Sequence, residues 1–578
     1  MTLNSSSTPR AAGQSDHPAD RFLSATDEPD GVERGSQYSA AKLIAETLST
    51  TFGPNGLDKM LIDRSGTVVV SNTGSTVLDG LEIDAPAGWV IRDAVEAQTS
   101  RIGDGSTTIS LLVGELLTAA SDLIDAGLHP ISIVNGYMMA GRLAADHVSA
   151  SSMPTSRGET TRLTNIATTA ITGRWDADAS RQLGRIAVEA LERVGFDTAQ
   201  LTLHAYPGGG VTDTEHVDGI LVDADVSSTD INMEAQAVGH DIPRVLSDPS
   251  IALVDGTISL PEVGAPATIS VSDANELDRV YDYEQQQSDS LVEPVLAAEA
   301  DVVVCQQAID DEIRTVFIRH GVLPIERTRR DEFNAIARAT GAEAVTKPSD
   351  LHPGALGKTS EICRRSVGST PVLTITGLPH ETHASVVLRG GTEHVAEETR
   401  RIIDDCIQNL RQAVHGGGVV PGGGATWMSA ALHIKDHAPS VDDRSQLAVT
   451  QFADAMEVVP RTLAKNAGSD PIETLSTMRA KHEAGNAEVG VDLSGLPQDM
   501  TTLGVIEPAA VVSGCLTTAV ETAVTLLRID DVLDADGADK TDELSHSHGN
   551  NHRDNHSSTH EHDHGAGNHG GYPWALSH

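Results

Sequence analysis

The distribution of hydrophobic periodicity along the 578 residues constrains the fold more than any other feature. Both ends of the chain carry helical spacing, with Ile44, Leu48 and Phe52 at i, i+4 and i+8 near the start. Residues 218–345 instead alternate short β-rich runs with helical segments, which is the pattern of an α/β domain. The simplest architecture pairs the two helical ends into one domain and inserts the α/β block between them.

Two glycine turns far apart in the chain are candidates for phosphate contact. Residues 103–108 read Gly-Asp-Gly-Ser-Thr-Thr and lead into an amphipathic helix, and residues 422–424 are three glycines downstream of Asp404-Asp405. Glycine permits close backbone approach, and the first N–H groups of a helix are free donors for an anion. A neighbouring carboxylate can hold Mg²⁺. Each motif alone is more often a plain turn or a solvated helix face, but together they predict one ATP site built from both ends of the sequence.

The charge is extreme, at −43, with 83 acidic residues against 40 basic ones, of which 8 are Lys. The apolar content of 39% is nevertheless that of a folded protein. An acidic, Lys-poor surface is typical of adaptation to high salt, where counterions screen self-repulsion. The alternative is a merely acidic cytosolic protein. In either case the charge argues against nucleic acid and anionic membranes as partners.

The cysteines and apolar runs predict a cytoplasmic protein. Four cysteines lie without CxxC spacing, which fits a reducing compartment and argues against a Cys-rich zinc module. The first thirty residues carry no signal-peptide pattern. Apolar runs fall short of the ~20 residues that span a bilayer, and the best candidate, 509–527, is interrupted by Glu521.

Both termini are predicted to be disordered. Residues 1–31 are rich in Ser, Asp and Pro, and residues 535–578 form a tail with nine His between His546 and His578. His residues two positions apart can bind Ni²⁺, Cu²⁺ or Zn²⁺. The alternative is a flexible polar tail with no metal role.

Six segments then follow one another in a fixed order over about 500 residues. They are Thr-Phe-Gly-Pro-Asn-Gly-Leu-Asp-Lys-Met-Leu at 51–61, the 103–108 turn with Gly-Glu-Leu-Leu at 114–117, Arg-Gly-Gly-Thr at 389–392 with Asp405, Asn-Ala-Gly-Ser-Asp-Pro at 466–471, Gly-Val-Ile-Glu-Pro at 504–508, and Arg-Ile-Asp-Asp-Val at 528–532. Together they resemble the signatures of group II chaperonin subunits, the archaeal thermosome family related to the eukaryotic cytosolic chaperonin. The resemblance runs from about residue 33 to 534.

The resemblance implies a multidomain α and α/β chaperonin fold. A helical equatorial ATPase domain comprises 32–152 and 405–534, a small intermediate domain comprises 153–217 and 371–404, and an inserted α/β apical domain comprises 218–370. A helical protrusion of the apical domain, the built-in lid, would fall near 224–245 and 273–296. Its residues Ile231 and Met233 are either lid contacts or ordinary surface apolars.

The implied function is that of an ATP-dependent molecular chaperone subunit of a double-ring chaperonin. It would enclose non-native polypeptides together with other ring subunits, and its cofactors would be ATP and Mg²⁺, with K⁺ as a further candidate. In the roles carried over, Asp104 ligates Mg²⁺, Asp405 orients or deprotonates the attacking water, and Arg174 senses the γ-phosphate. The phosphate contacts would come from Gly53, Gly105, Ser106, Thr107 and Thr108, and the ribose contacts from Gly423, Gly424 and Glu507.

Two positions depart from the family pattern. Thr73 stands in the Asn-Thr-Gly turn at 72–74 where the family usually has Asp, and Asn55 stands where a basic residue is common. A hydroxyl cannot balance a cation or take a proton from water, so the departure predicts slower hydrolysis with retained ATP binding. The alternative function is therefore a slow or non-hydrolysing structural subunit of a hetero-oligomeric ring. A third hypothesis is metal storage by the tail.

Overall fold

The computed structural model describes residues 34–62, 64, 66, 68–222, 242–260 and 274–530. The predicted N-terminal arm, the His-rich tail, Ile231, Met233 and residues 224–241 of the predicted protrusion lie outside the described residues. The second predicted protrusion segment, 273–296, coincides from residue 274 with the helix Ala274–Ala297.

Helices from the two ends of the chain share one hydrophobic core. Tyr137 and Phe452 show this, because their rings meet edge to face with centroids 5.6 Å apart. Ile44, Leu112 and Leu527, from three of these helices, are buried in the same core. The helices that contribute to this core are Arg34–Ser49, Gly74–Asp79, Pro86–Ile102, Ser106–Asp125, Pro130–Ala150, Ala425–His437, Ser445–Met456, Val458–Asn466 and Ala509–Arg528. The same part of the chain also contains the helices Pro471–Glu483, which packs in a smaller core, and Met500–Leu503.

The first helix is shorter than its hydrophobic spacing predicts. Ile44 and Leu48 are fully buried, as expected for one face. The helix ends at Ser49, however, because the backbone N–H and the hydroxyl of Thr51 both donate to the carbonyl of Leu48 and turn the chain. Phe52 therefore packs against the core from a loop, and its predicted place on the helical face was wrong.

A second hydrophobic core lies between a three-stranded sheet and three helices. The sheet places Ala384–Gly390 between Leu201–Pro207, which is parallel to it, and Glu215–Val217, which is antiparallel. Thr160–Ile171, Ala177–Arg193 and the helix Glu393–His415 cover it. Leu163, Leu388 and Ile403 are among the side chains that fill this core.

The central part of the chain is an α/β structure with two sheets. Parallel strands run in the order Ala344–Val345, Ser250–Val254, Val302–Cys305 and Leu323–Ile325, and Gly357–Lys358 joins antiparallel to Ser250–Val254. An antiparallel sheet has the order Gly219–Val222, Thr370–Thr376, Glu361–Val367 and Val245–Ser247. The helices are Ala274–Ala297, Asp311–Arg319 and Arg330–Thr340. The mixed helical and α/β character predicted from the sequence is confirmed.

Four short strands interrupt the part predicted to be helical from 393 to 533. Val419–Pro421 pairs with Ile506–Pro508, and Val489–Val491 pairs with Pro497–Asp499. Three residues are too few for alternation to show in a sequence. The all-helical prediction for this part was wrong, and the difference matters because these strands position Glu507 and Gly423.

Near the N-terminal end of the described residues, Lys59–Ile62 and Val68–Ser71 form a two-stranded antiparallel hairpin.

Two helices of the described part, Ser106–Asp125 and Ala509–Arg528, are long and apolar enough to cross a membrane by length and composition. The sequence-based statement that apolar runs fall short of that length was wrong on this measure. In both helices most of the apolar stretch is buried inside the protein, as in a helix of a protein core.

Candidate nucleotide-binding site

The first glycine turn presents the start of a long helix. Gly103 and Gly105 have φ of 88° and 96°, the left-handed region that favours glycine. Gly105 is the N-cap of the 20-residue helix Ser106–Asp125, and the first helical bond runs from Ile109 N to Gly105 O at 2.9 Å. The N–H groups of Ser106, Thr107 and Thr108 precede that bond, so they are available to an anion.

Asp104 sits on this turn with both carboxylate oxygens hydrogen-bonded. Oδ1 accepts from the backbone N–H of Gly105 at 2.6 Å, and Oδ2 accepts from Asn409 Nδ2 at 3.0 Å. Asn409 is buried on the helix Glu393–His415 and also donates to the carbonyl of Asp405 at 3.0 Å. One amide therefore joins Asp104 to the helical turn that carries Asp405.

Acidic side chains accumulate here beyond what nearby cations neutralise. Burial raises the pKa of Asp405 to about 8, the charges of Asp104 and Asp404 add to the effect, and Arg174 opposes it. Burial, with a contribution from Asp104, likewise raises the pKa of Glu507 to about 8. A carboxyl group with a raised pKa marks a place that would favour a bound cation.

The residues fit Mg²⁺ held jointly with phosphate. No group of three or more His, Cys, Asp or Glu side chains in the described residues is arranged as a closed metal site. Mg²⁺ commonly uses one or two carboxylates and completes its shell with water and substrate phosphate. Asn72 Oδ1, buried two residues before Gly74, has no hydrogen-bond partner among the described residues and offers a further acceptor.

The Asn-Thr-Gly turn at 72–74 rests directly on the helix start. A Cβ added to Gly74 would lie 2.5 Å from Thr107 Oγ1 and 2.8 Å from Ser106 Oγ. Thr73 Oγ1 accepts a hydrogen bond from Arg174 Nη2 at 3.3 Å. Thr73, one of the two departures noted from the sequence, is therefore in contact with Arg174, the residue that the resemblance assigns to the γ-phosphate.

Arg174 also faces four carboxylates. Burial lowers its pKa, and the charges of Glu398, Asp58, Asp405 and Asp104 act against that effect. Glu398 is tied to the same region, because its Oε1 accepts from Ser71 Oγ at 3.2 Å.

The loop at Gly53 is held from two sides. Gly53 has φ of 79°, and a Cβ there would lie 2.3 Å from Leu463 Cδ2. Asn466 Nδ2 donates to the carbonyls of Ser49 and Phe52, both at 2.8 Å. A Cβ on Gly173 would lie 2.2 Å from the carbonyl oxygen of Pro54, so the loop carrying Arg174 packs on the loop carrying Gly53.

The second glycine turn is fixed by the short strands. Gly423 and Gly424 have φ of 60° and 77°, and Gly424 is the N-cap of Ala425–His437. Val491 N donates to Gly423 O at 2.8 Å, and the strand pairing sets Val420 opposite Glu507. Glu507 therefore lies beside this turn, while its electrostatic interaction with Asp104 relates it to the first one.

The structure thus brings Asp104, Asp405, Arg174, Thr73 and the helix start together by direct contact or charge interaction. Sequence reasoning missed Asn409, Asn72 and Glu398. Asn409 carried one signal, since it lies four residues after Asp405 and so on the same helical face.

A separate cleft of about 630 Å³ lies between the strand Leu201–Pro207 and the helix Arg330–Thr340, with Asp404 among its lining residues. Its basic side chains Arg329, Arg338 and Arg400 are each paired with a nearby acid. The cleft holds neither glycine turn, and it does not form part of the candidate site.

Comparison with known proteins identifies the family of this chain. A model of the TCP-1/cpn60 chaperonin family matches residues 44–536. The chain belongs to this family.

The chain is similar over most of its length to archaeal thermosome subunits. It is 36% identical over 510 residues to thermosome subunit beta of Archaeoglobus fulgidus, covering 87% of this chain and 92% of that protein. It is 35% identical over 502 residues to thermosome subunit alpha of Halobacterium salinarum, covering 86% and 87%. Against the thermosome subunit of Methanocaldococcus jannaschii the identity is 36% over 505 residues, covering 86% and 91%.

These similarities confirm the predicted family, a group II chaperonin subunit. They also confirm the predicted function of an ATP-dependent molecular chaperone, and they do not favour the alternative of a structural, non-hydrolysing subunit. The family uses ATP with Mg²⁺ and forms rings that act on client proteins.

Proposed function

We propose that this chain hydrolyses ATP at the site between its two helical ends and uses the cycle to close a ring around non-native polypeptides. The observation that carries the proposal is the pair of hydrogen bonds from Asn409, which join Asp104 on the phosphate-facing turn to Asp405. Phosphoryl transfer depends mainly on positioning and charge neutralisation, so a few well-placed groups are sufficient.

In this proposal Asp104 holds Mg²⁺, which supplies charge neutralisation on the phosphates. The N–H and hydroxyl groups at Gly105, Ser106, Thr107 and Thr108 receive phosphate oxygens, with Gly53 on the opposite loop. Gly423 and Gly424 approach the ribose, and Glu507 accepts from its hydroxyls.

Asp405 orients the attacking water and accepts its proton, and Arg174 places a positive charge towards the γ-phosphate. K⁺ is proposed as a further cation near the acidic groups.

The test of this assignment is Asp405→Ala, with Asp404→Ala as its matched control. Asp404 is the adjacent acid on the same helix but lines the separate cleft. We expect Asp405→Ala to abolish hydrolysis and to leave nucleotide affinity within a few-fold, because the phosphate contacts come from other residues. Asp404→Ala should retain turnover. Normal turnover in the Asp405 variant would remove this residue from the mechanism.

The domain boundaries remain those proposed from the sequence, with an equatorial domain at 32–152 and 405–534, an intermediate domain at 153–217 and 371–404, and an apical domain at 218–370. Three hydrophobic cores, in the paired ends, the flanking segments and the central α/β part, support a division into three parts. The second core continues past the proposed boundary at 404/405, because Ile407, Leu410 and Ile506 belong to it.

Ring assembly is supported by the hairpin of Lys59–Ile62 and Val68–Ser71. A two-stranded hairpin is marginal by itself, and this one exposes Met60, Ile62 and Val70 by 65%, 66% and 46%. Such a surface suits pairing with a neighbouring subunit. We further propose a cytoplasmic location and a surface adapted to high salt, on the charge of −43.

A slower subunit is the second candidate, favoured by Thr73 alone. In place of a carboxylate, the turn offers a hydroxyl that already accepts from Arg174. Turnover by the purified chain, measured alone and mixed with partner subunits in high KCl, separates the two functions. Deletion of residues 535–578 tests a metal role of the tail.

A further inference from the structure

Asn409 occupies a buried position with both amide protons engaged. It is 2% exposed, and its Nδ2 donates to Asp104 Oδ2 and to the carbonyl of Asp405, each at 3.0 Å. A side-chain amide has two donors, so its donor capacity is fully used at this point. The bond to Asp104 crosses 305 positions of sequence, which makes it a direct link between the two halves of the site.

Asn409 engages a different oxygen of the Asp104 carboxylate from the one that the turn engages. Gly105 N fixes Oδ1 at 2.6 Å and Asn409 fixes Oδ2, so rotation of the carboxylate would break at least one bond. Each oxygen keeps a further lone pair, and Asp104 remains exposed. A carboxylate fixed in this way loses little orientational entropy when it binds a cation. Hydrogen bonds to a metal ligand also adjust the affinity of that ligand for the metal.

The bond to Asp405 has a different consequence. The carbonyl that accepts it lies one turn earlier on the helix Glu393–His415, so the amide holds the helix and the turn at a fixed separation. A displacement of Asp104 on cation binding would be transmitted to the backbone of Asp405 through a single side chain.

We propose that Asn409 is a positioning residue, which orients Asp104 for Mg²⁺ and couples that site to Asp405. The inference rests on the proposed function, since it takes Asp104 as the Mg²⁺ ligand and Asp405 as the group that orients water. It assigns to Asn409 no contact with nucleotide or water.

Two variants remove the amide, Asn409→Leu with similar bulk and Asn409→Ala without added bulk. Gln412→Leu is the matched control, because Gln412 lies on the same helix and its amide donates at 3.4 Å to the backbone carbonyl of Arg101, not to an acidic residue. Asp104→Ala and Asp405→Ala are references for the proposed roles. Thermal midpoints of all variants establish that each is folded.

The first measurement is the affinity of a fluorescent ATP analogue with Mg²⁺ and with EDTA. We expect the affinity in EDTA to change less than twofold in the Asn409 variants, and the gain produced by Mg²⁺ to shrink about ten- to a hundredfold. Gln412→Leu should keep the full gain. A purely structural role would lower both affinities together.

The second measurement is hydrolysis as a function of Mg²⁺ concentration. The Asn409 variants should need more Mg²⁺ for half-maximal rate and should recover part of their kcat at high Mg²⁺, whereas Asp405→Ala should not recover. If the Asn409 variants keep the Mg²⁺ gain while Asp104→Ala loses it, the role of Asn409 is refuted and the proposed function stands. If Asp104→Ala also keeps the gain, the assignment of Asp104 itself fails.

Discussion

Gly105→Ala tests whether the conformation of the first glycine turn is needed for phosphate contact. A Cβ at this position would lie 2.2 Å from Cys515 Sγ, whereas contacts below 3.0 Å are essentially never seen. The turn or the sulfur must therefore move by about 0.8 Å, and a misplacement of roughly 1 Å in a site costs on the order of a hundredfold in rate. The φ of 96° adds about 1–2 kcal/mol of strain for any residue with a Cβ.

The collision with Cys515 and the backbone strain at φ of 96° can be separated with matched variants. Gly127 has φ of 87° with nothing within 4 Å of an added Cβ, so Gly127→Ala carries the strain without a collision. In Gly105→Ala/Cys515→Ala the nearest atom of residue 515 is its Cβ at 3.9 Å, an ordinary contact.

The assay is kcat/KM for ATP together with nucleotide affinity. We expect Gly105→Ala to lose about a hundredfold in kcat/KM, the double variant to recover at least tenfold of that loss, and Gly127→Ala to match the parent. Cys515→Ala alone should change nucleotide affinity little. A double variant no better than Gly105→Ala would show that Cys515 does not set the position of the turn, and full activity of Gly105→Ala would refute the turn geometry as a requirement.

Three further perturbations follow from the structure. Thr73→Asp should raise kcat with little change in ATP affinity, as expected for an interaction made in the transition state, and an unchanged rate at matched KCl would remove the support for a slow subunit. Dialysis to ~0.1 M KCl should dissociate the ring by unscreening the charge of −43, and constant light scattering would contradict adaptation to high salt. Glu457→Gln should destabilise the fold by about 3 kcal/mol in thermal unfolding, because Glu457 is buried and paired with Arg479 and Lys435. Asp454→Asn, which alters a half-exposed acid paired with Lys435, should cost less. Burial alone would raise the pKa of Glu457, but the hydrogen bonds from Arg479 and Lys435 outweigh burial and hold that pKa below 4.5. The stabilisation from the ionised Glu457 is therefore present above pH 4.5 and is lost as the pH falls through the lower folded-state pKa. Glu457→Gln should lack this acid-induced loss of stability.

Much of the fold was predictable because long elements repeat their periodicity. The stripe of Ile109, Leu112 and Leu116 is fully buried, as its spacing requires. The strand Val302–Cys305 has all four residues buried, in keeping with its apolar run. The helix end at Ser49 was missed because a local hydrogen bond from Thr51 outweighs a spacing that continues to Phe52.

The site was predictable in its motifs and unpredictable in its contacts. Glycines and acids at 103–108 and 404–405 are visible in sequence, but the amide that joins them lies 305 positions from one of them. The same holds for Glu507, which reaches the second glycine turn through a three-residue strand paired with Val419–Pro421. Side-chain hydrogen bonds between distant segments leave no periodic trace, so only the tertiary structure reveals them.

The contact between Thr73 and Arg174 gives the departure at position 73 a physical meaning. An Asp at position 73 would form a charge pair with residue 174 across the present 3.3 Å hydrogen bond. With Thr there, the guanidinium is shared among Glu398, Asp58, Asp405 and Asp104, and less of its charge is committed before phosphate arrives. The substitution therefore removes a group that could act on water and at the same time leaves a cation better disposed towards an anionic ligand. Since Arg174 cannot lose its proton in the physiological range, its charge remains present for bound ATP. We therefore expect Thr73 to slow hydrolysis without preventing ATP binding, and Thr73→Asp is designed to restore the rate alone.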